Sequence, residues 1–335
     1  MMEFTKRKER QERKERTGQG SLMDAMTIDY EQVSNSIVNF IRQKVAEAGK
    51  DGICIGISGG LDSTVVAILA VKAMGDPSKV YGLYLSDRDS QKKFSQFAQR
   101  VADELGINFE MRDISALVKE QGTYKPAIMR IIPFLPGLNK LSVFSSKVVY
   151  SLVFRESPFV LTLKKGEPAK NKLTRIIYSA LSGTIEESFN VRHIRRRKIL
   201  EKFAAEKNLV LIGAANRSES FVGWFVKDGI DDLPIEALLG LYKNQVRQLA
   251  RFLGVPAEIL GEAPSPDMFK GIGDEDIIGY SYEKIDKVAY VFEHDLSEEV
   301  AFNDGITPKE FERIKTLNLL SAWKRENKHE FPSFE

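Results

Sequence analysis

The chain has 335 residues, 43% of them apolar, with 49 Lys and Arg against 47 Asp and Glu. That length and apolar content support a sizeable core in one α/β domain with additions. The near-balanced charge gives no bulk argument for a nucleic-acid or membrane-surface partner. Cys54 is the single cysteine, so no intrachain disulfide forms, and a reducing, cytoplasmic setting is expected.

The N-terminal run KRKERQERKER carries no apolar segment of the signal-peptide kind and reads as a solvated, disordered tail over 1–22. Apolar residues Val33, Ile37, Val38, Phe40, Ile41 and Val45 recur at helical spacing and predict a helix within 28–49. DGICIGI predicts a buried strand. A helix over 64–74 follows, stopped by Gly75. KVYGLYLS, 79–86, predicts a second strand. Phe94, Phe97, Ala98, Val101 and Leu105 mark one face of a helix over 88–105 that Gly106 ends, and a third strand is expected over 108–115. This alternation favours a doubly wound parallel sheet.

The regularity breaks over 122–189, which contains five prolines and no clean period. A stretch that long reads as either a functional insertion or an accessory subdomain. Its apolar runs are interrupted by prolines and lysines, so no transmembrane segment is expected. A helix over 190–207, a strand over 209–214 and a helix over 241–253 restore the pattern. Two more helices are expected over 283–293 and 308–326, with 301–335 as a C-terminal helical extension to a domain spanning 23–300.

The chemistry concentrates in Ser58-Gly59-Gly60-Leu61-Asp62-Ser63, between the first strand and its helix. Two glycines let the backbone turn sharply and approach a ligand. The N–H groups at the helix start favour an anion, and Ser58, Ser63 and Thr64 add hydroxyls. Neither a Walker ending nor a GxGxxG fingerprint is present. Asp62 beside a phosphate calls for a cation between them, and Mg²⁺ binds phosphates through one or two carboxylates. The glycines taken alone also fit a plain strand-to-helix turn with Asp62 and Ser63 as caps.

GISGGLDSTVVA closely resembles the SGGxDS loop of the PP-loop (N-type) ATP pyrophosphatase superfamily. NLVLIGAANRSES, LPIEALLGLYKNQVRQLARFLGVPAEIL and GDEDIIGYSYEKID are similar to motifs of its ammonia-dependent NAD synthetase branch. The resemblance covers roughly 28–115 and 190–292. It implies a Rossmann-like parallel sheet. It also implies an enzyme that adenylates the carboxylate of deamido-NAD with ATP and transfers ammonia, giving NAD, AMP and pyrophosphate.

The implied ATP site comprises Gly56, Ser58, Gly59, Gly60, Leu61, Asp62, Ser63, Leu85, Ser86, Arg196 and Ala214. Asp62 and Glu219 match the Mg²⁺-binding acids, and Lys243 joins them as a catalytic and substrate-binding residue. Lys227 and Asp231 fall on the second-substrate loop. A homodimer is implied as well.

Several positions depart from the branch. Ile194 replaces an arginine, Ala214 a hydroxyl residue and Ile230 an aspartate, and a lysine is missing from GEAPSPDM. These changes keep open a second reading, a PP-loop ligase that adenylates another substrate, and a third, a non-catalytic nucleotide-binding protein. No region suits a glutamine-hydrolysing domain, so free ammonia, or ammonia from another chain, is the expected nitrogen donor. His193, His294 and His329 form no metal or nucleophile spacing.

Overall fold

The computed structural model describes residues 21–124, 156–164, 184–265 and 273–334. The basic N-terminal run and most of 122–189 lie outside the described residues. In chain order the elements are α1 (Leu22–Ala25), α2 (Tyr30–Ala48), β1 (Gly52–Gly56), α3 (Leu61–Met74), β2 (Val80–Ser86), α4 (Lys92–Leu105), β3 (Asn108–Asp113), α5 (Ser115–Glu120) and α6 (Pro158–Leu163). There follow α7 (Thr184–Glu206), β4 (Leu209–Ile212), α8 (Arg217–Val222), α9 (Lys243–Phe252), α10 (Ala257–Leu260), α11 (Asp274–Ile278), α12 (Tyr282–Glu293), α13 (Glu298–Asn303) and α14 (Pro308–Leu320).

The four strands are parallel in the order β3-β2-β1-β4. β1 is therefore flanked by β2 on one side and β4 on the other, with Ile53 opposite both Val80 and Val210. The direction of winding reverses between β1 and β4. In open α/β sheets the crevice at such a reversal, beyond the carboxyl ends of the strands, is where ligands bind.

Alternation along the central strands serves two covered faces. Ile53, Ile55 and Ile57 pack with residues of α2, α3, α4 and α9. Cys54, Leu83 and Leu85 face the other way, onto Leu200, Phe203 and Ala204 of α7 and Val118 of α5. A second cluster, without strands, joins α1, α6, α8, α12, α13 and α14. It shows what the C-terminal region does. The expected extension boundary at 301 falls inside α13, and Phe311, Ile314 and Leu317 of α14 pack in the same cluster as Phe221 and Val222 of α8.

The N-terminal boundary also moves. Leu22 is 1% exposed, and its N–H donates to Asp304 at 3.1 Å, so Ser21 and Leu22 belong to the fold rather than to a tail. Helix starts shift for local reasons. α3 begins at Leu61, three residues ahead of expectation, because Gly60 is its extended cap residue and the corner residues enter the first turn. α7 begins at Thr184 rather than 190. The helix expected over 308–326 breaks at Ser321 into α14 and a 3₁₀ turn, Ala322–Glu326.

The two corner glycines have different reasons to exist. Gly59 has φ of +77°, and a Cβ there would lie 2.1 Å from the Phe94 carbonyl oxygen. Gly60 has φ of −88°, and its Cβ would meet only the Ser58 hydroxyl at 3.2 Å. Gly59→Ala is therefore expected to cost about 2 kcal/mol or more, the left-handed penalty plus a backbone clash. Gly60→Ala is expected to cost under about 0.5 kcal/mol, in the range of substitutions without a strained contact. Urea unfolding of the two variants checks the contrast.

Candidate active site

Three elements far apart in sequence converge beyond β1 and β4. β1 leads into the corner and α3, which places Asp62 in the first helical turn. β4 leads into α8, capped by Asn216, whose Oδ1 accepts the Glu219 N–H at 3.1 Å. The Asn216 amide also reaches Asp62 Oδ1 at 3.4 Å. Lys243 opens α9, and its ammonium donates to Asp62 Oδ2 at 2.5 Å and to Glu219 Oε1 at 3.0 Å. The lysine side chain is 4% exposed.

Two further residues line this cluster. The Tyr282 hydroxyl donates to Asp274 at 3.0 Å and lies 3.4 Å from Glu219 Oε1. The Lys243 ammonium stands 5.2 Å over the Tyr282 ring, within cation–π range.

Electrostatics here is one cation among three acids in a largely buried space. Burial pushes the Glu219 carboxyl up to about 7; the Lys243 charge opposes the rise, and Asp62 and Asp274 add to it. Burial lifts Asp274 to about 6, opposed by Lys243 and by the Tyr282 hydroxyl. For Lys243 burial acts downward but is outweighed by Asp62 and Glu219, so its pKa lies above the ordinary lysine value and the charge is retained.

The corner itself is ordered by its hydroxyls. Ser58 and Ser63 Oγ atoms lie 3.1 Å apart, and the Gly60 carbonyl accepts from Ser63 at 3.2 Å and Thr64 at 2.8 Å. Gly60 supplies no side-chain cap. The first N–H groups of the 14-residue α3 are thereby left without intrahelical acceptors and suit an anion. Gly56 ends β1 just before the corner.

Leu85 and Ser86 end β2, where Arg196 donates to the Leu85 carbonyl at 3.1 Å and to Asp87 at 2.9 Å. Ala214 packs beside the core next to Gly213, which pairs with Glu236. Glu236 is fully buried and accepts from the Ala215 and Leu233 N–H groups at 2.8 and 2.9 Å. A Cβ on Gly213 would fall 2.3 Å from that carboxylate.

Lys227 and Asp231 are held in a different cluster. Lys227 donates to the Trp323 carbonyl at 2.9 Å and to Glu326 at 2.6 Å. Asp231 meets His193 at 2.7 Å and accepts from the Val226 N–H at 3.2 Å. The C-terminal segment clamps the loop between α8 and α9 again through Asn327 and His329, which reach Asp232 at 2.6 and 2.7 Å.

Sequence reasoning did not single out Asn216, Asp274, Tyr282 or the acid–arginine network behind β2. Asn216 carried a signal: an Asn three residues before a Glu is a helix-start pattern. By composition alone the basic run RHIRRRK also fits a solvated helix face. Instead Arg192 is 1% exposed and donates to Asp89 at 2.6 Å, with Asp87 at 3.7 Å. Its neighbour Tyr124 stacks under both Arg88 and Arg192.

A 3-2-1-4 parallel sheet, a glycine corner feeding a bare helix start and two acids sharing one buried ammonium define an α/β protein with its crevice at the β1–β4 reversal. Comparison with known proteins gives its family. The NAD synthase family model matches residues 33–130 and 170–328. An NH(3)-dependent NAD(+) synthetase of Thermotoga maritima is 32% identical over 299 residues, covering 86% of this chain and 95% of that protein. One from Methanocaldococcus jannaschii is 29% identical over 89% of this chain and 93% of its own. In structure, the NMN synthetase from Francisella tularensis superimposes with a TM-score of 0.63 at 24% identity, covering 92% of this chain and all of that one. The chain belongs to the NAD synthase family.

Lys243→Met would leave Asp62, Glu219 and Asp274 facing one another without their cation. Removing one partner of a buried ionic cluster costs about 3–5 kcal/mol. The loss is expected at pH 8 and should shrink as pH falls through 7. A carboxyl raised in the folded state binds protons there before the unfolded chain does, so acidification favours the folded form. Urea unfolding of wild type and Lys243→Met at pH 8 and pH 5.5 checks both size and sign.

Proposed function

We propose that the chain is an ATP-dependent amide-forming ligase that adenylates the carboxylate of deamido-NAD and transfers ammonia to it. Membership of the NAD synthase family supports this reading. The observation that carries it is the Lys243 ammonium bridging Asp62 and Glu219 at the mouth of α3.

In the first step a substrate carboxylate oxygen bonds to the α-phosphorus of ATP, the α–β anhydride bond breaks, and pyrophosphate leaves. In the second, ammonia bonds to the acyl carbon and loses a proton, and AMP leaves. The α3 N–H groups with Ser58 and Ser63 orient the departing pyrophosphate. The Arg196–Leu85–Ser86 edge borders the adenine side. Lys243 places a fixed positive charge where phosphate charge accumulates, and a preorganised charge of that kind needs no rearrangement as the reaction proceeds.

The residues present fit Mg²⁺. Lys243 engages Oδ2 of Asp62 and Oε1 of Glu219, which leaves to a hard cation the second oxygen of Glu219 and the remaining lone pair of Asp62 Oδ1, reached by the Asn216 amide at 3.4 Å. Among the described residues no group of three or more His, Cys, Asp or Glu forms a closed metal cage. When bound, Mg²⁺ neutralises phosphate charge.

A second reading, adenylation of another acid, is motivated by Ile194, Ala214 and Ile230, where the chain departs from the motifs of the branch. The proposal extends to a homodimer and a cytoplasmic setting; among the described residues no helix is long and apolar enough to cross a membrane.

Purified protein with deamido-NAD, ATP, Mg²⁺ and ammonium should yield NAD, AMP and pyrophosphate in equal amounts. Asp62→Asn and Glu219→Gln should each lower kcat about 100-fold, the scale of one lost transition-state contact. Absence of ammonia-dependent NAD across pH 6–9 overturns the reading. Carboxylate-dependent ATP–pyrophosphate exchange with another acid would instead establish the second one.

A further inference from the structure

Beneath the Lys243–Glu219 pair lies a layer of polar contacts built on one helix, α12. Tyr282 and Asp286, four residues apart on that helix, share a face. Tyr282 touches the acids directly. Asp286 touches none of them, yet it is fully buried. Its Oδ1 accepts the Ser218 hydroxyl. Its Oδ2 accepts the Asn244 backbone N–H at 2.9 Å and the Asn244 side-chain amide at 2.7 Å. Ser218 Oγ in turn accepts the Lys243 backbone N–H at 2.7 Å.

Ser218 directly precedes Glu219, and Asn244 directly follows Lys243. One carboxylate therefore holds the backbone beside both members of the pair. The Lys243 and Asn244 N–H groups belong to the first turn of α9, where no intrahelical acceptor exists. A negative charge at that end is also favoured by the helix dipole. The ion pair spans two short helices, α8 and α9, and this relay joins the first turns of both.

We infer that Asp286, acting through Ser218 and Asn244, is a positioning residue that sets the separation and orientation of the Lys243 ammonium and the Glu219 carboxylate. The kinetic consequence rests on the function proposed above; the geometric consequence does not. Removing Asp286 strands the Ser218 hydroxyl and two Asn244 donors in a buried space, and α9 is then free to shift against α8. Displacements of about 1 Å at a reacting centre cost on the order of 100-fold in rate.

The test uses the full chain with Ser218→Ala, Asp286→Ala and Asp286→Asn. Asparagine can turn its carbonyl to Asn244 and its amide to the Ser218 oxygen, which keeps the spacing of the relay but reverses the bond to Ser218, whose own hydrogen then needs another acceptor. Two measurements are made: kcat and KM for ATP in the ammonia-dependent reaction, and acetylation of Lys243 by acetic anhydride, mapped by mass spectrometry against the exposed Lys72. Ser218→Ala and Asp286→Ala are expected to lower kcat about 30-fold while KM for ATP changes less than about 3-fold, the pattern of misplacement rather than lost binding. Lys243 acetylation should rise about 5-fold, and Asp286→Asn should recover both readouts to within about 5-fold of wild type, a rescue that follows from kept geometry. A Ser218→Ala/Asp286→Ala double variant should be no worse than the worse single, as expected for residues acting as one unit.

Unchanged kcat and unchanged Lys243 acetylation in Ser218→Ala and Asp286→Ala overturn the assignment. So does an Asp286→Asn variant as impaired as Asp286→Ala. If Asp286→Ala fails to fold, Ser218→Ala and Asp286→Asn decide. If wild type forms no NAD, the functional reading fails, and Lys243 acetylation alone decides whether Asp286 positions the lysine.

Discussion

One ammonium held among buried acids is the constraint on which the site depends. Lys243 is 4% exposed and faces Asp62 and Glu219 at 2.5 and 3.0 Å. Taking a lysine out of water is costly, and the attraction of carboxylates offsets that cost only when the geometry is close. Here the two effects are unequal: desolvation acts to neutralise the lysine, the acids oppose it, and the acids win. The same acids in turn tolerate one another only because the ammonium stands between them. A polyanion entering over the α3 N-terminus meets a charge distribution already arranged.

Around that centre, short secondary structure is stiffened by long-range bonds. α8 has six residues, too few for a helix to persist by itself in water, and α9 has ten. Asn216 caps the first and reaches Asp62. Glu236 fastens the turn leaving β4 through the Ala215 N–H. Asp286 ties the starts of both helices together. The β2 exit is fixed likewise, by Asp87 and Asp89 against Arg192 and Arg196. Buried polar groups of this kind take their partners from positions remote in sequence, Arg192 Nε and Nη1 making no hydrogen bond among the described residues, and those partners restrict how each loop can move.

The C-terminal segment is part of the same arrangement rather than an appendage. Asn327 and His329 hold Asp232, Lys227 is paired with Glu326, and Glu330 adds backbone bonds to Pro234 and Glu236. The loop between α8 and α9 therefore takes its shape from residues about a hundred positions downstream. The extension expected from 301 lies past the end of the resemblance, near 292. The hydrophobic cluster shared by α8, α12, α13 and α14 has no such seam.

Local patterning determined the elements and the corner. Strand-length apolar runs bounded by glycine, the 3.6-residue spacing of α2 and α4, and SGGLDS between strand and helix are consequences of neighbours in the chain, and they appear where periodicity puts them. Asp62, Glu219 and Lys243 were each legible from a motif; their meeting was decided by the 3-2-1-4 order, which puts β1 beside β4. Asp274, Tyr282, Arg192 and Asp286 were not legible as site residues, since a charged or aromatic residue on a helix looks the same in sequence whether its partner is water or a buried acid. Burial and partner are properties of packing between distant segments, and only the tertiary structure supplies them.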